Sequence, residues 1–74
     1  MSSERSLVAR RIEEIRTAKK MSRTELGERV GLKYLQVYRI EKDEVDVSAE
    51  MLASIAEALD ASVASFYRES KAAS

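Results

Sequence analysis

The 74-residue chain has no cysteine, no histidine, no proline, no tryptophan and only two glycines. Without cysteine there is no disulfide framework, and without cysteine or histidine there is no zinc cluster of the usual kinds. Nucleophilic catalysis through a Cys–His or Ser–His–Asp arrangement is excluded for the same reason. The exposed carboxylates come with no cofactor fingerprint, so neither an enzyme, nor a cofactor, nor a small-molecule substrate is expected. The longest apolar run is three residues, which cannot span a bilayer. The start, Met1-Ser2-Ser3-Glu4-Arg5, lacks the basic-then-apolar layout of a signal peptide. A soluble cytoplasmic domain with no membrane partner is expected. This length allows one domain, with a core over about 4–69 and a frayed tail over 70–74.

What is present in abundance is charge. Thirteen Lys and Arg balance 13 Asp and Glu, but the two halves differ. Residues 1–42 carry 11 basic and six acidic side chains, and residues 43–74 carry two basic and seven acidic ones. The halves therefore stand at +5 and −5. Such asymmetry suggests that the basic half meets an anionic partner such as nucleic acid, although small helical proteins also segregate charge without any partner.

Ala, Glu, Arg, Lys and Leu dominate and β-branched runs are absent, so helix is expected. Leu7, Val8, Ile12, Ile15 and Ala18 share one stripe and predict a first helix over about 4–19. Ser22-Arg23-Thr24-Glu25 reads as a capping box, with Met21 and Leu26 placed as a hydrophobic staple, so a second helix starts at Arg23. Gly31 ends it in a left-handed conformation. A third helix over about 33–41 buries Val37 and Ile40; its start is weakly signalled, because Lys33 is a poor cap at the positive end of the dipole. Asp43-Glu44-Val45-Asp46-Val47 reads as an acidic loop. Ser48 caps a fourth helix whose Leu52, Ile55, Ala56 and Leu59 form an i, i+3, i+4, i+7 stripe. Asp60-Ala61 breaks it, and Ser62 caps a short fifth amphipathic helix with Val63, Phe66 and Tyr67.

The informative spacing lies at residues 23–42. Leu26, Gly27, Val30, Gly31, Leu32, Val37 and Ile40 set apolar or small residues across two short helices and one turn. Gly27 lets the third helix cross the second closely, and Gly31 makes the corner. This is the arithmetic of a helix-turn-helix, whose second helix is presented to a DNA major groove.

The chain resembles the Cro/C1-type (XRE) helix-turn-helix regulators of bacteria and phages, from about Val8 to Tyr67 without a gap. The resemblance is strongest in S-R-T-E-L-G at 22–27, V-G-L at 30–32, V-Y-R-I-E-K at 37–42 and L-A-S-I-A-E-A-L at 52–59. It is also similar to a subgroup reading G-L-x-[FY]-x-Q-V-x-[KR] across the third helix. The resemblance implies an all-α, compact five-helix bundle of the lambda-repressor-like kind that binds operator DNA, commonly as a homodimer on an inverted repeat. It sets Arg23 near a backbone phosphate, puts Lys33, Tyr34, Leu35 and Gln36 at the groove-facing start of the third helix, and places Arg39 one turn later. It also implies a structural clamp between Arg16 and Glu41. Three features depart from the family pattern. The loop after the third helix is D-E-V-D where many relatives carry Gly, Asn and basic residues, Arg23 replaces the usual glutamine, and Leu35 replaces a polar groove residue.

Considered by their own chemistry, these side chains suit DNA. Gln36 can pair bidentately with adenine N6/N7 and Arg39 with guanine O6/N7, each discriminating by about 1–3 kcal/mol. Lys33 reaches phosphate or a guanine. Tyr34 and Tyr38 are i, i+4 neighbours whose rings can pack while a hydroxyl reaches phosphate, and Tyr34 or Leu35 can touch a thymine methyl. Considered singly, Arg39 and Lys42 read as solvated charges and the two tyrosines as half-buried packing residues; the family frame is what turns the set toward DNA.

The function expected is that of a sequence-specific, double-stranded DNA-binding transcriptional regulator, a repressor acting as a homodimer and associated with the nucleoid. Its dimer contacts are expected at Val63, Phe66 and Tyr67; the plainer reading is that the aromatics only cap the core. With no length left for a ligand-sensing domain, regulation would come from concentration, operator arrangement or a partner. The alternative is a helix-turn-helix adaptor or antitoxin whose main partner is another protein, motivated by the acidic C-terminal half and the apolar Tyr34, Leu35 and Tyr38 surface.

Overall fold

Serines begin three of the helices by the same local chemistry. In the computed structural model, which describes residues 6–68, the Ser6 hydroxyl accepts the Ala9 N–H at 3.1 Å and starts α1, Leu7–Ala18. Ser22 accepts from Glu25 at 3.0 Å and starts α2, Arg23–Val30. After α3, Tyr34–Glu41, Ser48 accepts from Met51 at 3.0 Å and starts α4, Ala49–Ala58. Each hydroxyl satisfies an N–H that the helix leaves unpaired, a contribution of about 1 kcal/mol. Ser6 holds an extended cap conformation, and α1 begins at Leu7. The expected helical residues 4 and 5, residue 69 of the expected core, and the 70–74 tail lie outside the described residues.

The helices stop in left-handed residues. Gly31, at φ 80°, closes α2, and the next N–H, on Leu32, donates to the Gly27 carbonyl at 2.8 Å. Lys20, Asp43 and Asp60 adopt φ of 59°, 62° and 55° after α1, α3 and α4. An aspartate tolerates this region through local hydrogen bonding, whereas for Lys20 it costs roughly 1–2 kcal/mol. Asp43 has a further role. Its carboxylate accepts the Ser6 backbone N–H at 2.9 Å, which ties the loop after α3 to the start of α1.

α1 packs against α3 and the C-terminal turn, and α2 packs against α3 and α4. Ile12, Leu26, Val37, Leu52, Ile55 and Leu59 fill the space between them. Gly27 allows a close approach, but the neighbour differs from the one expected. A Cβ there would stand 2.4 Å from the Leu32 carbonyl oxygen and 3.5 Å from Val37 Cγ2. The backbone of the turn, more than α3, occupies the space.

The five-helix expectation needs correction. The described chain has four α-helices and a closing 3-10 turn, Val63–Tyr67. Ser62 stands at the N-cap position of this turn, but its side chain makes no capping bond; its hydroxyl pairs with that of Ser65 at 3.1 Å. Arg11 Nε donates to the Ser65 carbonyl at 3.0 Å and fastens the turn to α1. Phe66 thereby reaches the core, where it is 0% exposed.

Candidate nucleic-acid interface

α3 is held by its inner face and its two ends. Val37, Ile40 and Glu41 are buried, so the opposite face, with Tyr34, Leu35, Gln36 and Arg39, is turned outward. At its N-terminus Lys33 takes an extended cap conformation with no side-chain capping bond of its own. The Gln36 Oε1 accepts the Lys33 backbone N–H at 2.8 Å instead. That is half of a capping box, and its signal was legible as a glutamine three residues after the cap. It changes the reading of Gln36. With Oε1 engaged, the amide is oriented, and its Nε2 remains to donate toward a base acceptor such as N7 or O6.

At the other end Glu41 is 0% exposed yet fully partnered. Arg16 Nε donates to Glu41 Oε2 at 2.6 Å and Arg16 Nη2 to Oε1 at 3.1 Å, the two-pronged geometry that makes guanidinium–carboxylate pairs strong. Arg16 Nη1 also donates to the Met21 carbonyl at 2.8 Å. The clamp thus joins α1, the α1–α2 turn and the end of α3.

Arg23 joins the same carboxylate. Its Nε donates to Glu41 Oε1 at 2.8 Å, its Nη2 lies 3.4 Å from Glu13 Oε2, and its Nη1 donates to the Tyr34 hydroxyl at 3.3 Å. The hydrogen bond that Arg23 donates to Glu41 pushes the guanidinium above its ordinary range, against partial burial that pushes it down. The family resemblance sets Arg23 near a backbone phosphate, and its partners here, 10, 18 and 11 residues away in the chain, leave no local sequence signal. Glu13 carried no sequence signal at all.

The guanidinium carbon of Arg23 also stands 5.1 Å from the Tyr38 ring centroid and 5.9 Å from that of Tyr34. The two rings are stacked, 6.4 Å apart and 14° from parallel. Lys42 Nζ lies 5.5 Å from the Tyr38 ring. These are cation–π distances. Tyr38 and Lys42 are half-buried, whereas Tyr34 and Leu35 are 50% and 51% exposed. Lys33 and Arg39 are exposed, and among the described residues no hydrogen bond or ion pair holds either side-chain charge. The acidic loop does not crowd them uniformly, since Asp43 is drawn onto the start of α1 while Glu44 and Asp46 stay exposed.

The three residues expected at a dimer contact separate. Val63 is 37% and Tyr67 59% exposed, but Phe66 lies wholly in the core and has no surface to offer a second chain.

Two short helices joined at Gly31, with the second exposing its polar face, are a helix-turn-helix, and the helix-turn-helix family model matches residues 12–66. The chain belongs to the Cro/C1-type (XRE) helix-turn-helix family. Its fold is similar to that of the clp gene regulator ClgR from Corynebacterium glutamicum, with a TM-score of 0.80 and 30% identity over 82% of this chain and 79% of that one. It is similar to the restriction-modification controller protein C.AhdI from Aeromonas hydrophila, with a TM-score of 0.77 and 30% identity over 81% and 91% of the two chains. A third similar structure is the P22 c2 repressor protein in complex with synthetic operator 9T, with a TM-score of 0.75 and 26% identity over 82% and 92%. No curated protein matches the chain.

Proposed function

We propose that the chain is a sequence-specific, double-stranded DNA-binding transcriptional regulator, a repressor that acts as a homodimer on an inverted-repeat operator. The observation that carries this reading is the outward face of α3, where Lys33 and Arg39 stand exposed, without an ion pair among the described residues, beside Tyr34, Leu35 and Gln36. Membership of the family and likeness to a repressor seen on its operator support it.

Arg39 reads a guanine through O6 and N7, a contact that discriminates by about 1–3 kcal/mol. Gln36 donates from Nε2 to a neighbouring base acceptor. Leu35 supplies apolar contact to a thymine methyl, and Lys33 and Lys42 meet phosphates. One module covers only a few base pairs, so specificity comes from two copies on half-sites about one helical turn apart. Val63 and Tyr67, exposed on the 3-10 turn, contribute to the contact between copies.

The test is selection from a random duplex library at physiological salt, followed by sequencing of what is recovered. Enrichment of an inverted repeat with half-sites about one turn apart is the expected outcome. Absence of any enrichment would overturn the reading and favour a helix-turn-helix adaptor that binds another protein through Tyr34 and Leu35.

A further inference from the structure

We propose that Arg23 is a positioning residue that acts on DNA through the Tyr34 hydroxyl, in place of the phosphate contact that the family pattern assigns to this position. The proposal rests on the DNA-binding reading above.

All three nitrogens of the Arg23 guanidinium are engaged. Nε is on Glu41, Nη2 faces Glu13, and Nη1 donates to Tyr34. Its side chain is 18% exposed. A phosphate drawing Arg23 outward would have to break the bond to Glu41, whose side chain no solvent reaches. Taking one charged partner from a buried carboxylate costs free energy that water does not return, even with Arg16 still bound to it. The local charge also argues against a phosphate role. Arg16 and Arg23 face Glu13 and Glu41, so the cluster offers little net positive charge to a counterion atmosphere.

What Arg23 presents outward is Tyr34. A phenol has one proton to donate and oxygen lone pairs to accept with. Since the Tyr34 oxygen accepts from Arg23, its rotation is biased and its proton is left to donate. Accepting from a cation polarises the hydroxyl and makes it a better donor. Tyr34 sits in the first turn of α3, half exposed and stacked on Tyr38, which the same guanidinium also contacts. Arg23 therefore braces the ring pair on one side of α3 and aims one hydroxyl at the phosphate backbone.

The experiment measures binding of a random-sequence duplex pool against salt concentration for the wild type, Arg23→Gln, Arg23→Lys, Tyr34→Phe and the Arg23→Gln/Tyr34→Phe double variant. Loss of one hydroxyl–phosphate bond predicts binding about three- to tenfold weaker for Arg23→Gln and for Tyr34→Phe. The slope of log affinity on log salt stays at the wild-type value, the double variant is no weaker than either single one, and Arg23→Lys fails to rescue. A slope reduced by about 0.9 with rescue by lysine would identify a direct phosphate contact and overturn the proposal. Additive losses, or no loss, would also overturn it. Arg16 remains on Glu41 in Arg23→Gln, and Tyr34→Phe alters only an exposed hydroxyl, so the second variant decides the matter if the first is poorly folded. Failure of the wild type to bind any duplex would be a different result, and would retire the DNA reading together with this inference.

Discussion

Replacing Glu41 by glutamine keeps the shape of the side chain and removes only its charge and one acceptor. In the wild type that carboxylate receives Arg16 through two bonds and Arg23 through a third, with no exposed surface. The Arg16 side chain is itself 8% exposed. Glu41→Gln leaves two guanidinium groups facing an amide whose NH₂ repels them, and one of the two cannot turn to water. Breaking a buried pair in this way costs about 3–5 kcal/mol. A domain of this length has about 4–11 kcal/mol of total stability, so the loss consumes a large share of it. At about 4–8 °C per kcal/mol, the melting temperature should fall by at least about 12 °C. Urea and thermal unfolding followed by circular dichroism measure this directly. The double variant Arg16→Met/Glu41→Leu should recover much of the loss, because apolar replacements leave no orphaned charge. A Glu41→Gln protein within about 1 kcal/mol of the wild type would refute the reasoning, since so small a loss matches an exposed pair.

Three further predictions use the same unfolding and binding assays. Gly27→Ala places a Cβ against the Leu32 carbonyl and should cost about 1–3 kcal/mol, whereas Gly31→Ala meets open space and should cost only the left-handed conformation, about 1–2 kcal/mol. Phe66→Ala should destabilise by about 3–5 kcal/mol, while Tyr67→Ala should change monomer stability by less than about 0.5 kcal/mol and weaken self-association in sedimentation equilibrium. Arg39→Ala should lose about 1–3 kcal/mol of affinity for the selected operator and relax preference at one base position, read by repeating the selection.

How much of this was legible depends on whether the cause is local. The start of α2 at Ser22, its end at Gly31 and the start of α4 at Ser48 follow from bonds that span three or four residues, and they appear where the sequence implies. The break at Asp60 does too. The closing segment departs from the expected helix because five residues with apolar spacing fit a 3-10 turn as well as an α-helix. Periodicity also does not say whether Phe66 faces inward to its own core or outward to a second chain. The expected clamp from Arg16 to Glu41 is present, but that expectation came from family resemblance; nothing in the spacing of two residues 25 apart announces it. Arg23 lies beyond local reasoning for the same cause, since its partners come from α1 and from both ends of α3. Gln36 is the opposite case. Its bond to Lys33 is local, spanning three residues at a helix start where the cap residue itself offers no acceptor.

The central claim is that the outward face of α3 meets DNA, and mapping backbone amide resonances during titration with an operator duplex tests it most directly. Shifts concentrated at residues 33–36, 38, 39 and 42, with little change along α4, are the predicted result. Shifts centred on α4 or the 3-10 turn, with residues 33–42 unmoved, would contradict it.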